Sequence, residues 1–138
     1  MRRTMIILSL TLGLGIVLGA LGDRFLSAQQ QSGKRTELLK TDLEGMAGKE
    51  GIMYIAELAP GAAAGKHFHP GLEFAYILDG SLTLEPQGQA PKTFKTGEVF
   101  HNPAKNVHDA KNASTTAPAK VLVFIVSEKG QPLATPVQ

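Results

Sequence analysis

From Thr36 onward, no stretch carries the apolar spacing of an amphipathic helix, and this constrains the fold more than any other feature. Short apolar runs stand there instead. They read as strands at Glu37–Thr41, Ile52–Leu58, Leu72–Leu78, Ser81–Glu85, Lys92–Phe94, Val99–His101, Val107–Ala110 and Val121–Ser127. Turn-forming segments separate them: Gly45–Gly51, Pro60–Gly65, Asp79-Gly80, Pro86–Pro91 and Thr96-Gly97. Many short strands at such intervals predict an all-β sandwich or barrel. A chain of 138 residues suffices for one such domain with a real core.

One predicted strand says more. Alternation puts Glu73, Ala75, Ile77 and Asp79 on one face and Phe74, Tyr76 and Leu78 on the other. Both faces are largely apolar, so both are expected to be covered. A second sheet covers one. The other meets the N-terminal strands, a neighbouring segment or a second copy of the chain, which makes a homodimer a candidate assembly.

The chain has no cysteine, so any metal must be held by nitrogen and oxygen. Three of its four histidines fall in a suggestive pattern. His67 and His69 are two apart, and on an extended segment both side chains leave the same face. Pro70-Gly71 then bends the chain, and Glu73 returns a carboxylate four residues after His69. His108 sits on a later strand. Three imidazoles and a carboxylate suit Fe, Mn, Zn, Ni or Cu better than Ca or Mg. Four protein ligands leave room for a substrate or water in a larger coordination sphere. Alone, a His-x-His pair beside a Pro-Gly turn is equally an exposed loop.

The surrounding residues resolve that choice. Gly61, five residues, His67-Phe68-His69, three residues, Glu73, six residues and Gly80 resemble the first cupin motif. Gly97, five residues, Pro103, Ala104, Lys105, two residues, His108, three residues and Asn112 resemble the second. The departure is Lys105, where the family usually has Gly. It falls in a turn where Gly permits positive φ. Asn106 follows and is an alternative site for a left-handed conformation. The resemblance covers Ile52 to Val126. It implies a double-stranded β-helix, or jelly roll, with His67, His69, Glu73 and His108 as ligands to a divalent metal. It is closest to small single-domain bacterial cupins. The family spans dioxygenases, isomerases and epimerases, oxalate enzymes, storage proteins and ligand-sensing domains, so the resemblance leaves the reaction open.

Around these residues the expectations are plainer. His101 shares the parity of Val99 and is a weak catalytic candidate if it points inward, a structural residue if outward; Asn102 has the opposite parity and the same ambiguity. Phe100 and Phe124 read as core. Ala75 and Ile77 would line the cavity. Lys66 and Lys105 flank the ligand segments, as solvated turn residues or as contacts for an anionic substrate at the rim. Asn112-Ala113-Ser114 matches a glycosylation sequon, but the second motif already accounts for Asn112. Residues 130–138, with Pro132 and Pro136, read as an irregular tail folding over the barrel.

The N-terminus reads as an export leader. Arg2 and Arg3 precede the uncharged run Met5–Leu21, and residues 1–28 form a cleaved signal or an uncleaved membrane anchor. The protein is then periplasmic or extracellular, or held at the inner membrane. Residues 29–35 read as a flexible spacer and 36–138 as the barrel domain. The net charge of +2 belongs to the leader: beyond residue 28 there remain 11 basic and 11 acidic side chains. A neutral domain gives no electrostatic footprint for nucleic acid. The expected partner is a small molecule. Three readings of the barrel follow: a metal-dependent enzyme, a non-catalytic metal- or ligand-binding module, and a metal-free structural barrel.

Overall fold

The computed structural model describes residues 33–137. The leader, residues 1–28, lies outside the described residues. The described chain forms ten strands: β1 (Gly33–Asp42), β2 (Lys49–Leu58), β3 (His67–Phe68), β4 (Leu72–Asp79), β5 (Ser81–Pro86), β6 (Lys92–Lys95), β7 (Val99–Asn102), β8 (His108–Asn112), β9 (Ala119–Glu128) and β10 (Thr135–Pro136). They make two five-stranded sheets, ordered β1-β2-β9-β4-β7 and β10-β3-β8-β5-β6, with every pairing antiparallel. This is the expected all-β jelly roll.

Alternation drives the packing. On β9, Val121, Val123 and Ile125 point between the sheets. Ile52 and Tyr54 from β2, Ala75 and Ile77 from β4, and Leu82 and Leu84 from β5 join them in one core. Each fully buried aliphatic side chain of this kind contributes about 1.5–3 kcal/mol. Glu73 shares the inward face of Ala75 and Ile77, as expected, but Asp79 does not. A register shift between Ile77 and Asp79 turns Asp79 out to solvent. At the next residue Gly80 turns the chain with φ of 78°, and a Cβ there would lie 2.7 Å from the Pro118 carbonyl.

Several expectations need correction. Gly33–Arg35, read as spacer, already belong to β1, where Arg35 pairs with Ala56. Their polar character suggested flexibility, but an edge strand exposed along its length needs only backbone pairing. Phe124 leaves the core: its parity is that of Leu122 and Val126, and it pairs with Phe74 on the outer face. Phe100 does pack inward, 5.0 Å from the Phe94 ring. The outer face of the first sheet is bare among the described residues, with Phe74 44%, Tyr76 42%, Leu78 39% and Val99 66% exposed. The tail folds over the barrel as expected, and in addition β10 pairs with β3.

Candidate metal centre

The antiparallel pairing of β3 with β8 sets His67 directly opposite His108. His69 follows two residues after His67 and projects to the same side. The three rings meet at centroid separations of 4.9 Å (His67–His69), 4.5 Å (His67–His108) and 5.4 Å (His69–His108). One nitrogen from each lies within 4.8 Å of the others. His69 and His108 are buried and His67 is half-buried. The three histidines that the sequence grouped are thus one cluster in space.

Each ring is oriented by its other nitrogen. His67 Nδ1 donates to the Gly65 carbonyl at 2.7 Å, His69 Nδ1 to Leu133 at 2.6 Å and His108 Nδ1 to Asn106 at 2.9 Å. A carbonyl only accepts, so each contact requires the proton on Nδ1, and in the neutral ring the lone pair is then on Nε2. Burial pulls the His67 and His69 pKa values below the usual histidine range, which keeps the rings neutral. Neutral imidazoles with Nδ1–H tied to carbonyls are the form in which histidine binds metals.

Glu73 opens onto the same space from the facing sheet. Its Oε1 lies 3.5 Å from His69 Nε2 and its Oε2 3.6 Å from His108 Nε2. Two donors about 2.1 Å from one ion stand roughly 3.0–3.4 Å apart at octahedral or tetrahedral angles, so these gaps fit a shared ion with little adjustment. No ion pair joins Glu73 to His67 among the described residues; the carboxylate sits on the His69 and His108 side. Gly71 makes the arrangement possible, because a Cβ there would fall 2.2 Å from the Val126 carbonyl of β9. The chain between His69 and Glu73 can therefore press directly onto the neighbouring strand.

The remaining sequence candidates separate cleanly. Asn102 is buried, and its Nδ2 donates to Glu73 Oε2 at 2.6 Å. His101 has the opposite parity: it is exposed on the outer face, with its ring 6.5 Å from Phe74. This removes His101 as a proton-transfer candidate inside the barrel. The signal was available, since Phe100 reads as core and Asn102 shares its parity. Lys105 itself takes the left-handed conformation, with φ of 62°, rather than Asn106. Its backbone N–H donates to the His69 carbonyl at 2.8 Å, so the strained residue buttresses a ligand segment. Asn112 Nδ2 lies within 3.2 Å of the Leu58, Ala59 and Ala117 carbonyls, and Oδ1 accepts from Ser114 N–H. A buried amide so engaged is a loop clamp and not a glycosylation acceptor.

Sequence reasoning missed Tyr54 and its partner Arg35. Tyr54 is buried within the barrel, and burial with the nearby Glu73 charge raises its pKa above the ordinary tyrosine value. The Arg35 guanidinium lies over its ring at 4.9 Å.

Comparison with known proteins agrees with this architecture. Residues 54–125 match the cupin domain family. No curated protein matches the chain. Among solved structures, a conserved double-stranded β-helix protein from Klebsiella pneumoniae superposes with a TM-score of 0.61 at 18% identity, covering 78% of this chain and 85% of that one. A DMSP lyase from Ruegeria pomeroyi gives 0.62 at 18%, covering 77% and 52%. An oxalate oxidase bound to the substrate analogue glycolate gives 0.61 at 22%, covering 78% and 56%. This chain therefore spans only about half the length of the two enzymes, and at these identities the likeness is one of fold. The matched span exceeds half of the chain and contains both histidine motifs on a double-stranded β-helix: the chain belongs to the cupin domain family.

Proposed function

We propose that the chain is an exported single-domain cupin that binds a divalent transition metal through His67, His69, Glu73 and His108, and acts as a metal-dependent enzyme on a small molecule. The observation that carries the reading is the set of three Nδ1–H donors, each held by a carbonyl, which leaves three Nε2 atoms turned toward one space beside a buried carboxylate. When bound, the metal supplies Lewis acidity toward an oxygen-bearing substrate, or oxygen chemistry if it is iron. The chain's own residues do the rest. Asn102 holds Glu73, and buried Ile125, which pairs with Glu73, and Ile52, which pairs with Ile125, give the carboxylate apolar neighbours. The reaction class we propose is oxygenase-like or isomerase/lyase-like; that two fold relatives, an oxalate oxidase and a DMSP lyase, are enzymes supports an enzymatic role.

The outward position of His101 favours a second reading, a non-catalytic metal- or ligand-binding module, because no histidine beyond the cluster faces the interior among the described residues. Elemental analysis of the purified domain, beside a His67→Ala/His108→Ala double variant, is the test. Near-stoichiometric metal in the parent and none in the variant supports the site. No metal in the parent after reloading with each candidate ion rejects the metal-dependent enzyme and leaves a metal-free ligand-binding barrel. Turnover of any small molecule by the loaded parent then separates enzyme from module.

Export rests on Arg2-Arg3 and the Met5–Leu21 run, and is checked by fractionating cells that carry the chain with and without residues 1–28. The bare apolar face around Phe74, Tyr76 and Val99 supports a homodimer. Light scattering at twice the chain mass upholds it, and a monomer at high concentration rejects it.

A further inference from the structure

We infer that a second copy of the chain covers the outer face of the first sheet, and that this pairing and metal binding strengthen each other through β7. The inference rests on the metal and homodimer readings above and adds the coupling between them. Alternation turns Met53 of β2, Leu122 and Phe124 of β9, Phe74 and Tyr76 of β4 and Val99 of β7 to one side. They line a groove of about 460 Å³, and no Lys, Arg, Asp or Glu lines it. With residue areas of about 150–250 Å², the exposed parts of Phe74, Tyr76, Leu78 and Val99, and those of the half-buried apolar residues beside them on β2 and β9, come to roughly 600 Å². A stable interface buries roughly 800 Å² per partner, up to about two-thirds of it apolar, so this face alone supplies the apolar part. A two-fold axis lets the same patch serve both partners. The charges at the ends of β2 and β9 pair off, Lys120 with Glu57 and Lys49 with Glu128, so a lipid surface finds no free basic rim along these strands.

The inner side of the same strand pair supports the metal centre. Register sets Glu73 opposite Asn102, Phe74 opposite His101 and Tyr76 opposite Val99. Residues of β4 and β7 therefore alternate between the outer face and the centre. Asn102 holds Glu73 Oε2 at 2.6 Å from the position next to His101. β7 is four residues long, lies at the edge of its sheet and pairs with β4 alone among the described residues. Such a strand, with Val99 66% exposed, opens more readily than the core strands do. Opening carries Asn102 away from Glu73. A partner seated on Phe74, Tyr76 and Val99 holds β7 closed from outside, and a metal on Glu73 favours the closed state from inside. Two binding events that favour one state of the same strand favour each other.

The test uses the purified barrel, residues 29–138, which carries all ten described strands. Sedimentation velocity over a concentration series gives its dimer dissociation constant in chelator and with Zn2+, the bound zinc being fixed by elemental analysis. Zinc should tighten the dimer about fivefold or more, and dilution of the parent into its monomer range should weaken zinc binding in chelator competition. Val99→Glu should be monomeric and bind zinc as the diluted parent does; Met46→Glu, at an exposed turn position away from the face, should match the parent. In His67→Ala/His108→Ala the zinc effect on the dimer should vanish; an effect that survives there comes from surface histidines and overturns the coupling. A zinc-replete parent whose dimer constant is unchanged overturns the inference and leaves the metal and homodimer readings standing. A dimeric Val99→Glu places the interface elsewhere and overturns it too. A parent that stays monomeric at every concentration, whether or not it floats with phosphatidylglycerol vesicles, sinks the homodimer reading and this inference, and a parent that holds no zinc sinks the metal reading and this inference.

Discussion

Replacing Asn102 by Leu isolates the support of Glu73 from the ligands themselves. The side chains are similar in size, so the substitution removes a donor without opening a cavity. Asn102 Nδ2 lies 2.6 Å from Glu73 Oε2, and the two residues are 3% and 5% exposed. A hydrogen bond to a buried charged group contributes about 1.5–3 kcal/mol. A domain of this size shifts its melting temperature by about 4–8 °C per kcal/mol, so Asn102→Leu in chelator should melt roughly 6–24 °C lower. Metal affinity should fall about 10–100-fold, the usual effect of losing a partner that orients a ligand. The neighbouring residue is the control. His101 is exposed on the opposite face, so His101→Ala should change stability by no more than about 0.5 kcal/mol and leave metal affinity alone. Thermal melts in chelator and competition against a chromophoric chelator measure both quantities. Equal losses in the two variants, or none in Asn102→Leu, would refute the assignment of Asn102 to the inside and His101 to the outside.

Other outcomes follow from single features. Lys105 holds φ of 62°, which costs a non-glycine residue about 1–2 kcal/mol, and glycine returns about 0.4–1 of that as extra freedom of the unfolded chain. Lys105→Gly should therefore stabilise the domain by roughly 0.5–1 kcal/mol in a denaturant titration; a loss would show that the Lys105 side chain makes a compensating contact. Burial depresses the folded pKa values of His67 and His69 below the ordinary 6.5, so their contribution is present above that pH and is lost as pH falls through the lowered values. Metal-free stability should decline below about pH 6.5, less steeply in His67→Ala/His69→Ala; identical slopes in parent and variant would contradict this. Deleting residues 131–138 removes the Leu133 carbonyl that accepts from His69 Nδ1. Metal affinity should fall about 10–100-fold while Asn102 and Glu73 stay paired, as chelator competition would report; unchanged affinity would mean that the tail does not orient His69.

Most strand centres were legible because alternation and turn residues are local signals. Val121–Ser127 reads as a strand from its own residues, and β9 spans it. Failures came where local character and pairing disagree. Gly33–Arg35 look like linker, yet β2 supplies the backbone partners that make them strand. Phe124 is as apolar as a core residue, but parity counted along β9 sends it outside with Leu122 and Val126. Asp79 follows the parity of Glu73 in sequence and loses it at a register shift, beside the Asp79-Gly80 turn that ends the alternation.

The cluster divides along the same line. Its two motif segments were readable because a His-x-His pair, a bend and a returning Glu are set by a few consecutive residues. Even part of the orienting shell is local: His67 and His108 each donate Nδ1–H to the carbonyl two residues earlier, Gly65 and Asn106. The third carbonyl, Leu133, lies 64 residues beyond His69. Asn102 reaches Glu73 from 29 residues away. Arg35 approaches Tyr54 only because β1 pairs with β2. The candidate donors are thus encoded in two short segments of the chain, and part of what orients them comes from distant strands. A sequence motif can therefore identify the fold and the candidate donor atoms while leaving their support unread, because the pairing of β7 with β4 and the path of the tail decide it.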